Sequence, residues 1–148
     1  MRISAKGRYA IAATIYLAKR YANDEYITVI SISEELDISK IYLEQVFSLL
    51  KQGDIVLSVK GSQGGYKLTR HPKHINVYEI LSPIESALFE TTKESVKKSA
   101  AHIEHSAQHL IYLPLDRTLQ QFFQQITLEE LVLEADKHNG EAGYMFYI

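Results

Sequence analysis

The 148-residue chain contains no cysteine, and that absence removes more functions than any residue present. Iron–sulfur clusters are held by thiolates, so none can be bound here in the usual way. The purified protein is therefore expected to be colourless under anaerobic conditions. A disulfide switch and a cysteine nucleophile are excluded with it. Long apolar runs are also missing, since no stretch approaches the ~20 residues of a membrane-spanning helix. The opening Arg2-Ile3-Ser4 does not read as a signal peptide, so a cytoplasmic location is expected. The one glycine-rich stretch has no Gly-Lys-Ser/Thr ending and no helix after it, which argues against a P-loop. No Ser–His–acid set stands out, and no enzyme is expected.

Excess charge is missing overall, at a net −2, but not locally. Residues 1–73 hold 11 Lys+Arg against 7 Asp+Glu, and the remainder holds 5 against 11. A basic N-terminal part thus precedes an acidic body that would not lie on a polyanion.

What is present is concentrated in residues 38–66. Ser39 is a good N-cap for a helix in which Leu43, Val46, Phe47 and Leu50 form one apolar stripe. Ile41, Glu44, Gln45 and Ser48 fall on the opposite face. By itself such a face is what any solvated helix shows, although Gln and Glu can also address base edges in a major groove. The flanks favour the second reading. Thr28 can cap a short helix over 29–36, and Asp37-Ile38 leaves only a tight turn before Ser39, the pattern of a helix-turn-helix. Downstream, residues 55–59 and 66–69 read as two strands around Gly61, Gly64 and Gly65. Lys60, Lys67 and Arg70 ring that hairpin, where cations can neutralise phosphates.

Three separated motifs resemble the IscR/NsrR/CymR-type (Rrf2) bacterial winged-helix regulators, and the likeness runs almost end to end. They are Met1-Arg2-Ile3-Ser4-Ala5-Lys6-Gly7-Arg8-Tyr9-Ala10; Tyr42-Leu43-Glu44-Gln45 with Gly61-Ser62-Gln63-Gly64-Gly65-Tyr66; and Ile126-Thr127-Leu128-Glu129-Glu130-Leu131. The resemblance implies a mainly α fold with a small β-hairpin wing, followed by C-terminal dimerisation helices. It implies a homodimeric, sequence-specific DNA-binding regulator, expected to be a repressor acting at an imperfect palindrome in double-stranded DNA. The DNA-facing residues would be Arg2 and Lys6 at the start, Ser39, Lys40, Tyr42, Glu44 and Gln45 on the recognition helix, and Lys60, Ser62, Gln63, Gly64 and Tyr66 on the wing. The family usually carries arginine at the position of Lys60, and lysine reads groove shape less well. Many members bind a cluster through three cysteines in the segment matching 89–109. Here that segment offers Thr91, Thr92, Ser95, Ser99 and Ser106 instead. The chain is most similar to the cysteine-metabolism repressor (CymR-like) branch, which lacks those cysteines, so sulfur and cysteine genes are the expected targets.

The expected organisation is a DNA-binding domain over 1–72, a linker helix, effector-like segment and dimerisation helices over 73–138, and an apolar tail over 139–148. Leu115, Leu119, Phe122, Phe123 and Ile126 form the expected dimer stripe, with a helix break or restart near Pro114. Thr127-Leu128-Glu129-Glu130 fits a capping box opening a last helix to about residue 137. His102, His105 and His109 share a helix face that could bind zinc, copper or nickel, or sense pH. Against a metal there, one helix rarely presents three ligands to a tetrahedral ion, and Glu104 and Gln108 suggest a wet surface. No cofactor is expected; a metal- or small-ligand-responsive module is the alternative function. Residues 139–143 read as a flexible linker leading to Phe146, Tyr147 and Ile148. The resemblance implies cysteine synthase as their partner, with closure of the dimer core as the other reading.

Overall fold

Ser4 opens the first helix, α1 (Ala5–Lys19), by accepting the Gly7 N–H on its hydroxyl. Ala10, Ala13, Leu17 and Ala18 give α1 a narrow buried edge of mostly small side chains. Such residues let neighbouring helices approach closely, and α3 crosses there. The chain is described as a computed structural model over residues 2–62 and 64–146, with side chains as far as residue 140.

The next two helices arise as the sequence predicts. Thr28 caps α2 (Val29–Leu36) through the Ser31 N–H. Asp37 adopts a left-handed conformation (φ 52°) that stops α2, and Ile38 N–H returns to Ser33 O at 3.2 Å. The turn is therefore a helix C-terminus closed on itself. Helix α3 (Lys40–Gln52) follows, with Leu43, Val46, Phe47 and Leu50 fully buried. Ser39 stands at its N-cap, but contrary to expectation its hydroxyl makes no capping bond.

Strands β1 (Val56–Val59) and β2 (Gly65–Leu68) pair antiparallel, Val56 opposite Leu68 and Val59 opposite Gly65. Ile27 bridges the other edge of β2 as a single residue, exchanging two 2.8 Å hydrogen bonds with Tyr66. Gly65 is required at this crossing: its φ is +153°, and a Cβ there would collide with Ile27 O. Helix α4 (Val77–Leu81) starts in a capping box between Asn76 and Glu79.

A long irregular segment leads to α5 (Ala101–Ala107), which runs without interruption through a π-turn (Gln108–Tyr112) into α6 (Leu113–Gln124). The expected break at Pro114 is thus replaced by a widened turn. Proline has no N–H for the carbonyl four residues earlier and its ring clashes with it; i→i+5 bonding in the preceding turn makes room. The last helix, α7 (Leu128–Phe146), passes residue 137 and includes 139–143. The expected linker is therefore helical: the two glycines cost roughly 1 kcal/mol each, but no proline stops propagation.

One buried cluster joins both halves of the chain. Ala10, Ile32, Leu43, Phe47 and Ile55 share it with Ile75, Ile80 and Leu128. A smaller cluster of Val77, Leu81 and Phe123 packs beside it, with Leu119 and Ile126 partly buried against it. Residues 1–72 therefore close their core only with help from α4 and α7. Among the described residues no helix is long and apolar enough to cross a membrane.

Candidate nucleic-acid interface

Burying the Leu43/Val46/Phe47/Leu50 edge of α3 turns the opposite face outward. Ile41, Glu44, Gln45 and Ser48 are all exposed, Ile41 by 68 %. Lys6, from the first turn of α1, joins Ile41, Glu44, Gln45, Ser48 and Leu49 around one open groove. The structure thus brings two of the three sequence motifs onto a common face. Lys40 lies 3.7 Å from Glu44, an exposed pair that contributes little and can exchange partners. Tyr42 is half exposed, with its ring 6.1 Å from that of Tyr9. Arg2 is exposed at the start of the chain.

The wing is held to α3 by an aromatic stack. Tyr66 lies on Phe47 with ring centroids 4.3 Å apart and planes 14° from parallel. Burial, and then the negative charge of Glu44, push the Tyr66 phenol above its ordinary pKa. Tyr66 therefore positions the wing whatever else it touches. Lys60, Ser62 and the turn closed by Gly64 N–H to Gly61 O (3.0 Å) form the tip. Lys60 and Ser62 are exposed and Gly64 is buried; Gln63 lies outside the described residues.

The other two cations are engaged within the protein, contrary to the expectation that they meet phosphates. Lys67 Nζ sits 2.9 Å from Asp24 and 4.8 Å from the centre of the Tyr26 ring. Its hydrogen bond to Asp24 raises its pKa. Arg70 donates to Glu79 at 2.7 Å and to the carbonyls of His74 and Asp54. Both fasten the wing root to the body.

The proposed dimer stripe divides. Phe123 is buried in its own chain, with Leu119 and Ile126 partly buried beside it. Leu115 and Phe122 face outward. Leu110 (75 % exposed), Phe122 (57 %), Ile103 and Ile111 are also left exposed along α5, the π-turn and α6. Sequence periodicity missed Leu110 and Ile111 because the π-turn rotates the face that a regular helix would present.

His102, His105 and His109 are exposed, and the rings of His105 and His109 stack 5.8 Å apart. Among the described residues no three His, Cys, Asp or Glu side chains form a group able to hold a metal ion. Glu104, expected on a wet surface, is only 6 % exposed. It accepts the N–H groups of Ser95 (3.3 Å) and Val96 (3.0 Å), while Asp116 accepts the N–H and hydroxyl of Thr92. These bonds lash the irregular segment to α5 and α6. Beside them Glu94, Val96, Lys98, His105, Gln108 and Leu113 line a cleft of about 420 Å³. Phe146 ends α7, and its side chain, with Tyr147 and Ile148, lies outside the described residues.

An outward polar helix face, a hairpin wing stacked on that helix and a helix-turn-helix connection define a winged-helix DNA-binding protein. The chain belongs to the Rrf2 family: the family model described as an iron-dependent transcriptional regulator matches residues 3–134. The protein is accordingly a DNA-binding transcriptional regulator and not an enzyme. It is 34 % identical over 132 residues to the HTH-type transcriptional regulator IscR of Xenorhabdus nematophila, covering 89 % of this chain and 79 % of that one. Among solved structures it is similar to CymR, the global cysteine regulator of B. subtilis. That match has a TM-score of 0.73 and 27 % identity, covering 90 % of this chain and 98 % of the other. It is also similar to T. potens IscR, with a TM-score of 0.68 and 28 % identity over 99 % and 97 %.

The iron dependence in the family description does not fit this donor set. With no thiolate in the chain and Ser and Thr through segment 89–109, the residues present cannot ligate a cluster as cysteines do.

Proposed function

We propose that this regulator is a homodimeric repressor that reads an imperfect palindrome and controls genes of sulfur or cysteine metabolism in the cytoplasm. The observation that carries the DNA-reading part is the shared groove of Lys6, Ile41, Glu44, Gln45 and Ser48 beside the wing. Glu44 and Gln45 would meet base edges, with Tyr42 and Ser48 beside them. Lys6, Lys40, Arg2 and Lys60 would meet phosphates or the minor groove, and Ser39, Ser62 and Gln63 the sugar–phosphate backbone, while Gly64, buried with its N–H bonded to Gly61 O, would shape the tip instead of touching DNA. Residues 1–72 would carry the DNA contacts, and 73–138 the effector-like segment and dimer helices. The outward surface of Leu110, Ile111, Leu115 and Phe122 supports pairing of two copies, as a two-fold operator demands.

The cysteine-metabolism assignment rests on the likeness to CymR and on the missing thiolates. In this reading residues 139–148 dock to cysteine synthase, with Phe146, Tyr147 and Ile148 as the contacting side chains. Binding to an inverted-repeat duplex and to random duplex, titrated with salt, tests the first part. A steep fall with salt and a large specificity ratio are expected. Deleting Ile148 is expected to abolish capture of cysteine synthase and to leave DNA binding intact. Equal capture by the truncated chain would overturn the docking assignment.

A second reading, response to a small ligand, is favoured by the cleft of about 420 Å³ beside His105 and Gln108. Its size suits a small organic molecule. A change in operator affinity on adding such a molecule, lost in His105→Ala, is the expected result.

A further inference from the structure

Glu85 belongs to none of the sequence motifs and lies well after the DNA-binding half, yet it is only 8 % exposed. A buried carboxylate needs several donors to offset the water it loses. Glu85 finds them on Ser4: the Ser4 N–H and the Ser4 hydroxyl both donate to Oε1, each at 2.7 Å. Because the hydroxyl proton points at Glu85, the Ser4 oxygen is left to accept the Gly7 N–H at 3.1 Å. The carboxylate also sits at the positive end of α1, where a negative charge is favoured. Gly7 is part of the same fit, since a Cβ there would collide with Glu85 Oε1. Arg8 closes the turn by donating to Ile3 O at 2.8 Å. The first turn of α1 thus gets its position from a residue 81 positions downstream.

That turn carries Lys6, which enters the groove beside Glu44 and Gln45. The chain from Glu85 onward is fastened at its other end as well. Thr92 is held by Asp116 on α6, and Ser95 and Val96 by Glu104 on α5. Between them Phe89 packs edge-on against Tyr78 and Phe123. Residues 85–96 are therefore a strap with one end at the proposed phosphate-contacting turn and the other on the helices that bear the outward apolar surface.

We propose that Glu85 is the positioning residue for Lys6 and Arg2, and that the strap 85–96 lets a change at α5–α6 reach DNA through it. Glu85 itself touches no DNA. This rests on the assignment of Lys6 to phosphate. The test uses the full chain and a duplex selected by the wild-type protein from a random pool. Affinity is measured against salt for wild type, Glu85→Gln, Lys6→Ala and the double variant. Each phosphate contact adds about 0.9 to the slope of log K against log salt, so at ~0.1 M salt its loss costs about tenfold. Glu85→Gln is expected to lower both affinity and slope by about one contact per protomer, and Lys6→Ala to cost little more on top of it.

A role confined to folding would lower the melting temperature and leave the slope unchanged. Wild-type slope in folded Glu85→Gln, or strictly additive losses in the double variant, would overturn the proposal. Should Glu85→Gln not fold, Glu85→Asp is measured in its place. It keeps the charge but withdraws it by one methylene, and an unchanged slope there counts equally against the idea. If wild type selects no duplex, the DNA-contact assignment itself has failed and the strap is not at issue.

Discussion

Single side chains in this protein separate into those that read a partner and those that hold a reader in place, and exposure alone does not sort them. Gln45 is exposed on the outer face of α3, while Lys67 and Arg70 are cationic and partly accessible yet bonded to Asp24 and Glu79. Replacing Gln45 with Ala is expected to cost about 1–3 kcal/mol on the preferred duplex and to relax base preference. Lys60→Ala is expected to weaken all duplexes alike, or to erase preference for narrow A·T grooves. Competition binding on matched and scrambled duplexes measures both. Wild-type behaviour in both variants would remove these residues from the interface.

Elements here are set by their ends. Thr28 and Thr127 each cap a helix from the position that their sequence context suggests, and the structure adds Asn76 at the start of α4. At α7 the box is complete: the Thr127 N–H and hydroxyl donate to Glu130 at 2.7 and 3.0 Å, and Thr127 Oγ1 accepts the Glu130 N–H. These bonds hold the Glu130 carboxyl below its ordinary value, the backbone N–H being the larger cause. A carboxyl whose folded pKa is depressed adds stability above its unfolded pKa and loses it as pH falls through the folded value. Acidification below the ordinary carboxylate range should therefore loosen the start of α7. Glu130→Gln should flatten that part of the pH dependence in urea melts. An unchanged pH profile in Glu130→Gln would show that the Glu130 charge contributes nothing to the pH dependence of stability.

At the scale of the whole molecule, α5, the π-turn and α6 form one uninterrupted rod whose two faces have different tasks. Phe123 faces inward to α4, while Leu110, Ile111, Leu115 and Phe122 face outward. Several large apolar side chains left exposed along one element mark a candidate contact site. Leu110→Glu with Phe122→Glu is expected to yield a folded monomer by analytical ultracentrifugation, with operator affinity reduced by orders of magnitude. A dimer that persists in the double variant would move the interface elsewhere. The expected tail linker is a cautionary case at this scale: residues 139–143 look flexible by composition, yet they continue α7.

The sequence by itself determined the local pieces of this protein. The α3 stripe, the Thr28 and Thr127 caps, the tight turn at Asp37 and the glycine-rich wing tip were all legible, because each depends on residues within a few positions of one another. The winged-helix class followed from their order. Only the tertiary structure decided which cations are committed inside the fold, which side of α6 is buried, and how Pro114 is accommodated. The first two depend on contacts between distant positions, such as Lys67 with Asp24 or Phe123 with α4. Glu85 is the clearest instance. One signal was available, a glycine in the first turn of a helix at Gly7, where helix propensity disfavours it. What Gly7 makes room for could be found only where the chain returns to meet it.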